Sequence, residues 1–79
     1  MYSKTLTHGG HTRQFEIRDA GVAGWEVREQ QDDRTVRQVL YTDWHRVERA
    51  VTRLESEIAS LEREGWTVRD DEAAAMTSA

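Results

Sequence analysis

The chain has 79 residues, 37% hydrophobic and 33% charged, with no cysteine and a net charge of −4. That length makes one domain with a thin core, and the lack of cysteine excludes disulfide or thiolate–metal reinforcement. The acidic balance argues against a dedicated nucleic-acid binder, because Lys and Arg neutralising phosphates supply most of that affinity.

The first residues, Met1-Tyr2-Ser3-Lys4-Thr5-Leu6, lack the apolar core of a secretory signal. No apolar run approaches the roughly 18 residues needed to span a bilayer, so no membrane association and a cytoplasmic location are expected. Ten of the eleven basic residues are Arg, in keeping with a GC-rich genome. Residues 1–42 carry six basic and six acidic groups, whereas residues 43–79 carry five and nine, so the acidic excess lies in the second half.

His8-Gly9-Gly10-His11 is a two-residue hairpin signal, since primed turns need positive φ and glycine supplies it at little cost. That loop sets Leu6 opposite Arg13, Lys4 opposite Phe15 and Tyr2 opposite Ile17. Tyr2, Leu6, Phe15 and Ile17 then share one face, and Ser3, Thr5, Thr7, Thr12, Gln14 and Glu16 share the other. Turn chemistry and hydrophobic alternation thus agree independently. Residues 20–24 read as a loop of odd length, which keeps Trp25 and Val27 of a third strand on the face of Phe15 and Ile17.

Gln31-Asp32-Asp33 reads as the next turn, and two registers are open for the strand from Arg34 to Thr42. A three-residue loop sets Val39 against Val27, Tyr41 against Trp25 and Arg37 against Glu29. An even loop turns Val36 and Leu40 inward instead. The first is preferred because it makes two apolar pairs and one opposite-charge pair, and it leaves Val36 and Leu40 on the face away from the core. A bulge near Arg37-Gln38 would blur the distinction.

At Thr42-Asp43 the period changes from two to 3.6. Trp44, Val47, Val51, Leu54, Ile58 and Leu61 recur at spacings of three and four, with Ala50 and Ala59 beside them, which predicts an amphipathic helix. Thr42 or Asp43 caps its start. Gly65 stops it at C′, with Leu61 and Trp66 as the touching pair of a Schellman motif. Residues 66–69 read as a short extended segment packing back on the core, and residues 70–79 as a disordered tail. The expected fold is α+β: a four-stranded antiparallel meander (ββββα) packed on one long helix within residues 1–69. Its core comprises Phe15, Ile17, Trp25, Val27, Trp44, Val47, Val51 and Leu54.

No motif fixes a reaction, a cofactor or a ligand. His8 and His11 bracket a hairpin tip, but a metal site needs a third or fourth ligand and none is indicated. His45 reads as a residue of the helix's first turn. Ser3, Ser56 and Ser60 have no histidine in a triad arrangement, the loop glycines do not precede a helix, and the acidic residues alternate with Arg on solvent faces, so no enzyme is expected. Arg18, Arg28 and Arg34 would lie on the sheet face away from the helix. There the order of elements resembles the Whirly-type folds, a likeness that implies single-stranded nucleic acid on that face.

The helix offers a different surface. Twenty-odd residues extend about 30 Å, whereas strands of six or seven residues extend about 20–23 Å, so the seam should outrun the sheet. Exposing Leu54, Ile58 and Leu61 would forfeit roughly 1.5–3 kcal/mol for each large side chain. Either Trp66 and the terminal segment cover them, or a second copy does. The preferred expectation is a non-enzymatic interaction module that forms a homodimer through Leu54, Ile58 and Leu61, or through Val36 and Leu40.

Overall fold

A computed structural model of the chain describes residues 2–70, the last of them by its backbone alone. Five strands and one long helix follow in the order β1 (Tyr2–His8), β2 (His11–Asp19), β3 (Trp25–Gln31), β4 (Arg34–Tyr41), α1 (Trp44–Arg63) and β5 (Thr67–Asp70). The sheet is antiparallel throughout, in the order β4-β3-β2-β1-β5. The expected ββββα arrangement is present, and the short terminal segment has become a fifth strand beside β1. Of the expected tail, Asp70 closes β5 and the remaining residues lie outside those described.

The first hairpin has the register that its glycines dictate. Gly9 and Gly10 take φ of 54° and 82°, and the pairs run from His8↔His11 to Tyr2↔Ile17. A five-residue connection containing a 3-10 turn then brings Trp25 opposite Asp19 and Val27 opposite Ile17. Gly24 within it, at φ 111°, lies where a Cβ would collide with the Tyr41 carbonyl oxygen, so both the backbone angle and the close approach require glycine.

The turn between β3 and β4 combines both expected registers. Asp32 and Asp33 sit at φ of 49° and 66° and make a two-residue turn, an even loop with Gln31 paired to Arg34. Asp is among the few residues that tolerate this left-handed region. Further along, Arg37 pairs with Glu29, Val39 with Val27 and Tyr41 with Trp25, the register of the odd loop. Val36 is the extra residue that reconciles them, unpaired between Thr35↔Gln30 and Arg37↔Glu29.

The Asp43 side chain accepts the His45 amide at 3.0 Å and caps α1. At the other end the Trp66 N–H donates to the Leu61 carbonyl and the Gly65 N–H to the Glu62 carbonyl, each at 3.0 Å. Those two bonds define the Schellman motif, and Gly65 adopts φ 104°. The helix crosses the sheet diagonally. Trp44 meets Trp25 of β3 edge-on at 5.1 Å between ring centroids, and Trp66, just past the helix, meets His8 of β1 at 5.5 Å.

Between the layers lie Leu6, Phe15, Ile17 and Val27 of the sheet with Val47, Ala50, Leu54, Ile58 and Leu61 of the helix, all buried. The overhang expected for the seam does not occur. Nine-residue β2 extends about 30 Å, the sheet gains a fifth strand, and the helix takes the diagonal. Leu54, Ile58 and Leu61 are therefore covered within one chain, with Trp66 and Val68 packed against the same cluster. Three expected core residues are peripheral: Trp25 and Val51 are half-buried against the cluster, and Trp44, at 46% exposed, sits in the first helical turn against Trp25 rather than under the sheet.

The contrast between seam and edge is measurable by urea denaturation. Leu54→Ala should cost about 2–5 kcal/mol, the range for emptying a buried leucine site, whereas Val36→Ala should stay within about 0.5 kcal/mol. Equal small effects at both positions would contradict the packed seam.

Candidate functional site

Helical geometry sorts the charges of α1. Arg46, Arg49 and Arg53 follow one another at intervals of three and four, on one flank of the apolar seam. Glu48, Glu55 and Glu62 recur every seven residues and form a stripe on the other flank. The arginine flank faces β4. Tyr41, Arg46, Arg49, Ala50 and Arg53 line a hollow of about 300 Å³ between strand and helix.

Arg34 and Arg37 of β4 pair with Gln31 and Glu29, whose side chains alternate onto the helix side with Val27. A second hollow of about 520 Å³, lined by Gln31, Asp32, Arg34 and Val36, opens at that end of the strand. Two distinct hollows therefore flank β4: a basic groove between Tyr41 and the Arg46, Arg49 and Arg53 flank of α1, and a mixed-charge one at the Arg34 end, with Arg37 on the strand between them. Arg34, Arg37, Arg46 and Arg49 have no ion-pair partner among the described residues.

Three acidic groups near these hollows, Glu29, Glu57 and Asp32, have other partners. Glu29 is buried, at 5% exposure, and accepts from Arg53 Nη2 at 2.9 Å. Arg53 Nη1 lies 3.6 Å from Glu57, and Arg13 Nη2 donates to the same Glu57 carboxylate at 2.8 Å while its guanidinium stands over the Phe15 ring. The hydrogen bond to Glu29 raises the Arg53 pKa above its already high ordinary value, against the opposing effect of burial. Arg53 is thus held as a cation at the floor of the groove. Asp32 accepts the Thr12 amide at 2.9 Å and lies 3.0 Å from His11 Nδ1.

The residues singled out in the sequence are distributed differently. Leu54, Ile58 and Leu61 are internal, so they offer no self-association surface. Val36 and Leu40 are exposed, at 60% and 53%, but the bulge separates them. Leu40, opposite Glu26, lies on the outer face, while Val36 lines the hollow at the β3–β4 turn with Gln31, Asp32 and Arg34. Arg18 and Arg28 do lie on the outer face, where Glu16 holds the first at 2.7 Å and Glu26 the second at 3.0 Å. Arg34 lies on the opposite side, so the three arginines do not converge.

His8 stacks on Trp66 and His11 turns to Asp32, so the two imidazoles have separate partners. His45 is exposed near Glu48. Among the described residues no group of three or more His, Cys or acidic side chains is placed to hold a metal ion, and no helix is long and apolar enough to cross a membrane.

The groove itself was missed by reading the charges of α1 as an alternating solvent face. Its signal was the arginine spacing, which differs from the seven-residue spacing of the glutamates. Comparison with known proteins returns no match to a protein family, to a curated protein or to a solved structure.

Two outcomes follow from this wiring. Arg53→Ala would strand the buried Glu29 carboxylate and should cost about 1–3 kcal/mol, less than a fully buried pair because the arginine is partly solvated, while Arg49→Ala should be near neutral. The Thr12 amide and His11 hold the Asp32 pKa below its ordinary value of 3.8. Its stabilising effect is therefore present above that ordinary value and lost as pH falls through the lowered one. Denaturation of Asp32→Asn beside the parent should show a stability gap at neutral pH that narrows in strong acid.

Proposed function

We propose that this chain is a small non-enzymatic interaction module that docks an extended segment along β4 by strand addition. The observation that carries this reading is the asymmetry of the sheet edges. Among the described residues one edge is the four-residue β5, whereas the other is the eight-residue β4, without proline and with Val36 and Leu40 exposed. Natural sheets commonly blunt such an edge by shortening or covering it, because its unpaired N–H and C=O groups template another strand. An open edge of this length supports backbone pairing with a second chain, with pockets for alternate side chains providing selectivity.

A second copy is the simplest partner. Two identical edges can pair antiparallel about a two-fold axis, which is the sheet-mediated form of the homodimer. Such a pairing sets Arg34, Arg37, Arg46 and Arg49 of each copy at one interface, and like charges oppose it. The dimer should therefore be weak at low salt and strengthen as salt shortens the screening length. The outer sheet face has less to offer nucleic acid, since Glu16 and Glu26 hold its arginines Arg18 and Arg28.

Sedimentation equilibrium at low and high salt is the direct test. The expected result is a dimer fraction that rises with salt and disappears on Gln38→Pro, which removes a backbone donor from the middle of the edge. A 9.2 kDa monomer under every condition would remove the homodimeric form. Failure of β4 amides to gain hydrogen-exchange protection with any extended peptide would remove strand addition altogether.

A further inference from the structure

Resting on that strand-addition reading, we infer that the segment β4 accepts is acidic, with carboxylates at alternate positions facing the groove between β4 and α1. The local charge balance is the first ground. Arg46 and Arg49 line this groove, Arg34 and Arg37 follow along the same side of β4, and none of the four has an ion-pair partner among the described residues, in a chain whose net charge is −4. Glu29 and Glu57 are committed to Arg53 and Arg13, and Asp32 to Thr12 and His11. The stripe of Glu48, Glu55 and Glu62 lies across the apolar seam from the groove. Cations crowded without counter-charges repel one another, and an anionic partner relieves that repulsion.

Geometry is the second ground. An added strand directs every second side chain toward the helix side, over Arg34, Arg37 and Tyr41 on the strand and toward Arg46 and Arg49 on the helix. Arg46 and Arg49 are separated by about 4.5 Å along the helix axis, and alternate side chains of a strand repeat at about 6.6 Å. Carboxylates spaced by one residue can therefore address the Arg46–Arg49 pair and, further along the strand, Arg37, each able to take a forked guanidinium contact. The intervening side chains fall on the outer face beside Leu40, Gln38 and Thr35, where small apolar or hydroxyl residues fit.

A nucleic-acid strand has the charge but not the complement. Single-strand grooves stack successive bases on several aromatic rings, and Tyr41 is the one aromatic lining the groove. The open backbone of β4 adds donors and acceptors in the spacing of a peptide. The chemistry recognised is thus an extended, acidic polypeptide.

The experiment uses the full chain and four fluorescent probes: a Glu-Val repeat octapeptide, the same peptide with Thr for Glu, the same with Lys for Glu, and an oligothymidine. The Glu-Val peptide should bind best, about tenfold tighter than the Thr-Val peptide, with an affinity that falls as salt rises. The Lys-Val peptide should bind weakest. In the double variant Arg46→Gln with Arg49→Gln, both exposed positions, the Glu-Val peptide should drop to the level of Thr-Val while helix content stays unchanged. Protection of β4 amides should accompany binding of both the acidic and the neutral peptide. Equal affinity for Glu-Val and Thr-Val would overturn the acidic inference and leave strand addition standing. Absence of binding by every peptide would overturn strand addition itself. Oligothymidine binding tighter than the acidic peptide, and displaced by loss of Arg46 and Arg49, would overturn the polypeptide assignment in favour of nucleic acid.

Discussion

The hydrogen bond from the Trp66 amide back to the Leu61 carbonyl reverses the chain at the end of α1. Gly65 makes that reversal affordable at φ 104°, and the chain leaves the helix toward β1. Three consequences depend on it. β5 pairs with β1 and closes that side of the sheet; Trp66 and Val68 cover the last turns of the seam; and β4 is left as the long open edge. Had the chain continued away from the sheet, Ile58 and Leu61 would have lost that cover and β1 would have been an edge. The apolar surface would then be on the helix, and self-association through it would be the natural reading. The reversal moves the unsatisfied surface to the opposite side of the molecule.

Stability and recognition rest on different interactions here. Nine buried apolar residues hold the layers together, and each large side chain contributes on the order of 1.5–3 kcal/mol. Exposed ion pairs are typically worth under about 1 kcal/mol, so the surface charges do little for the fold. Glu29 is the exception, because its carboxylate is buried and needs Arg53. That single pair ties the two roles together: it fastens α1 to β3 and fixes one arginine beside the groove. Arg34, Arg37, Arg46 and Arg49 have no ion-pair partner among the described residues, so they could serve a partner at little cost to the fold.

Some of this organisation was legible in the residues and some was not. The first hairpin could be read because glycine chemistry and side-chain alternation constrain the same register independently, and the helix end because Leu61, Gly65 and Trp66 stand at Schellman spacing. The register of β4 could not be resolved, since one bulged residue at Val36 makes both loop lengths true at different ends of the strand. Coverage of the seam was misjudged because it depends on the length of β2, the diagonal course of α1 and a four-residue fifth strand, none of which periodicity reports. Glu29 was within reach, as it shares a face with Val27 in the preferred register. The groove was harder, being made jointly by a helical stripe and a strand edge that touch only once the layers are assembled.

If β4 takes an added strand as proposed, the bulge and the arginines together would make that open edge selective. A bulge increases local twist and interrupts the ladder, so a long flat pairing with an indiscriminate strand is disfavoured. The arginines would act over a longer range, repelling a second copy of the same edge and attracting a segment of opposite charge. Screening weakens both effects, but with opposite signs for the two partners. Under the strand addition we propose, self-pairing and recognition of an acidic segment would compete for one set of backbone groups, and ionic strength would set the balance between them. The arginines would then decide which partner β4 takes, while the backbone would require that partner to be extended.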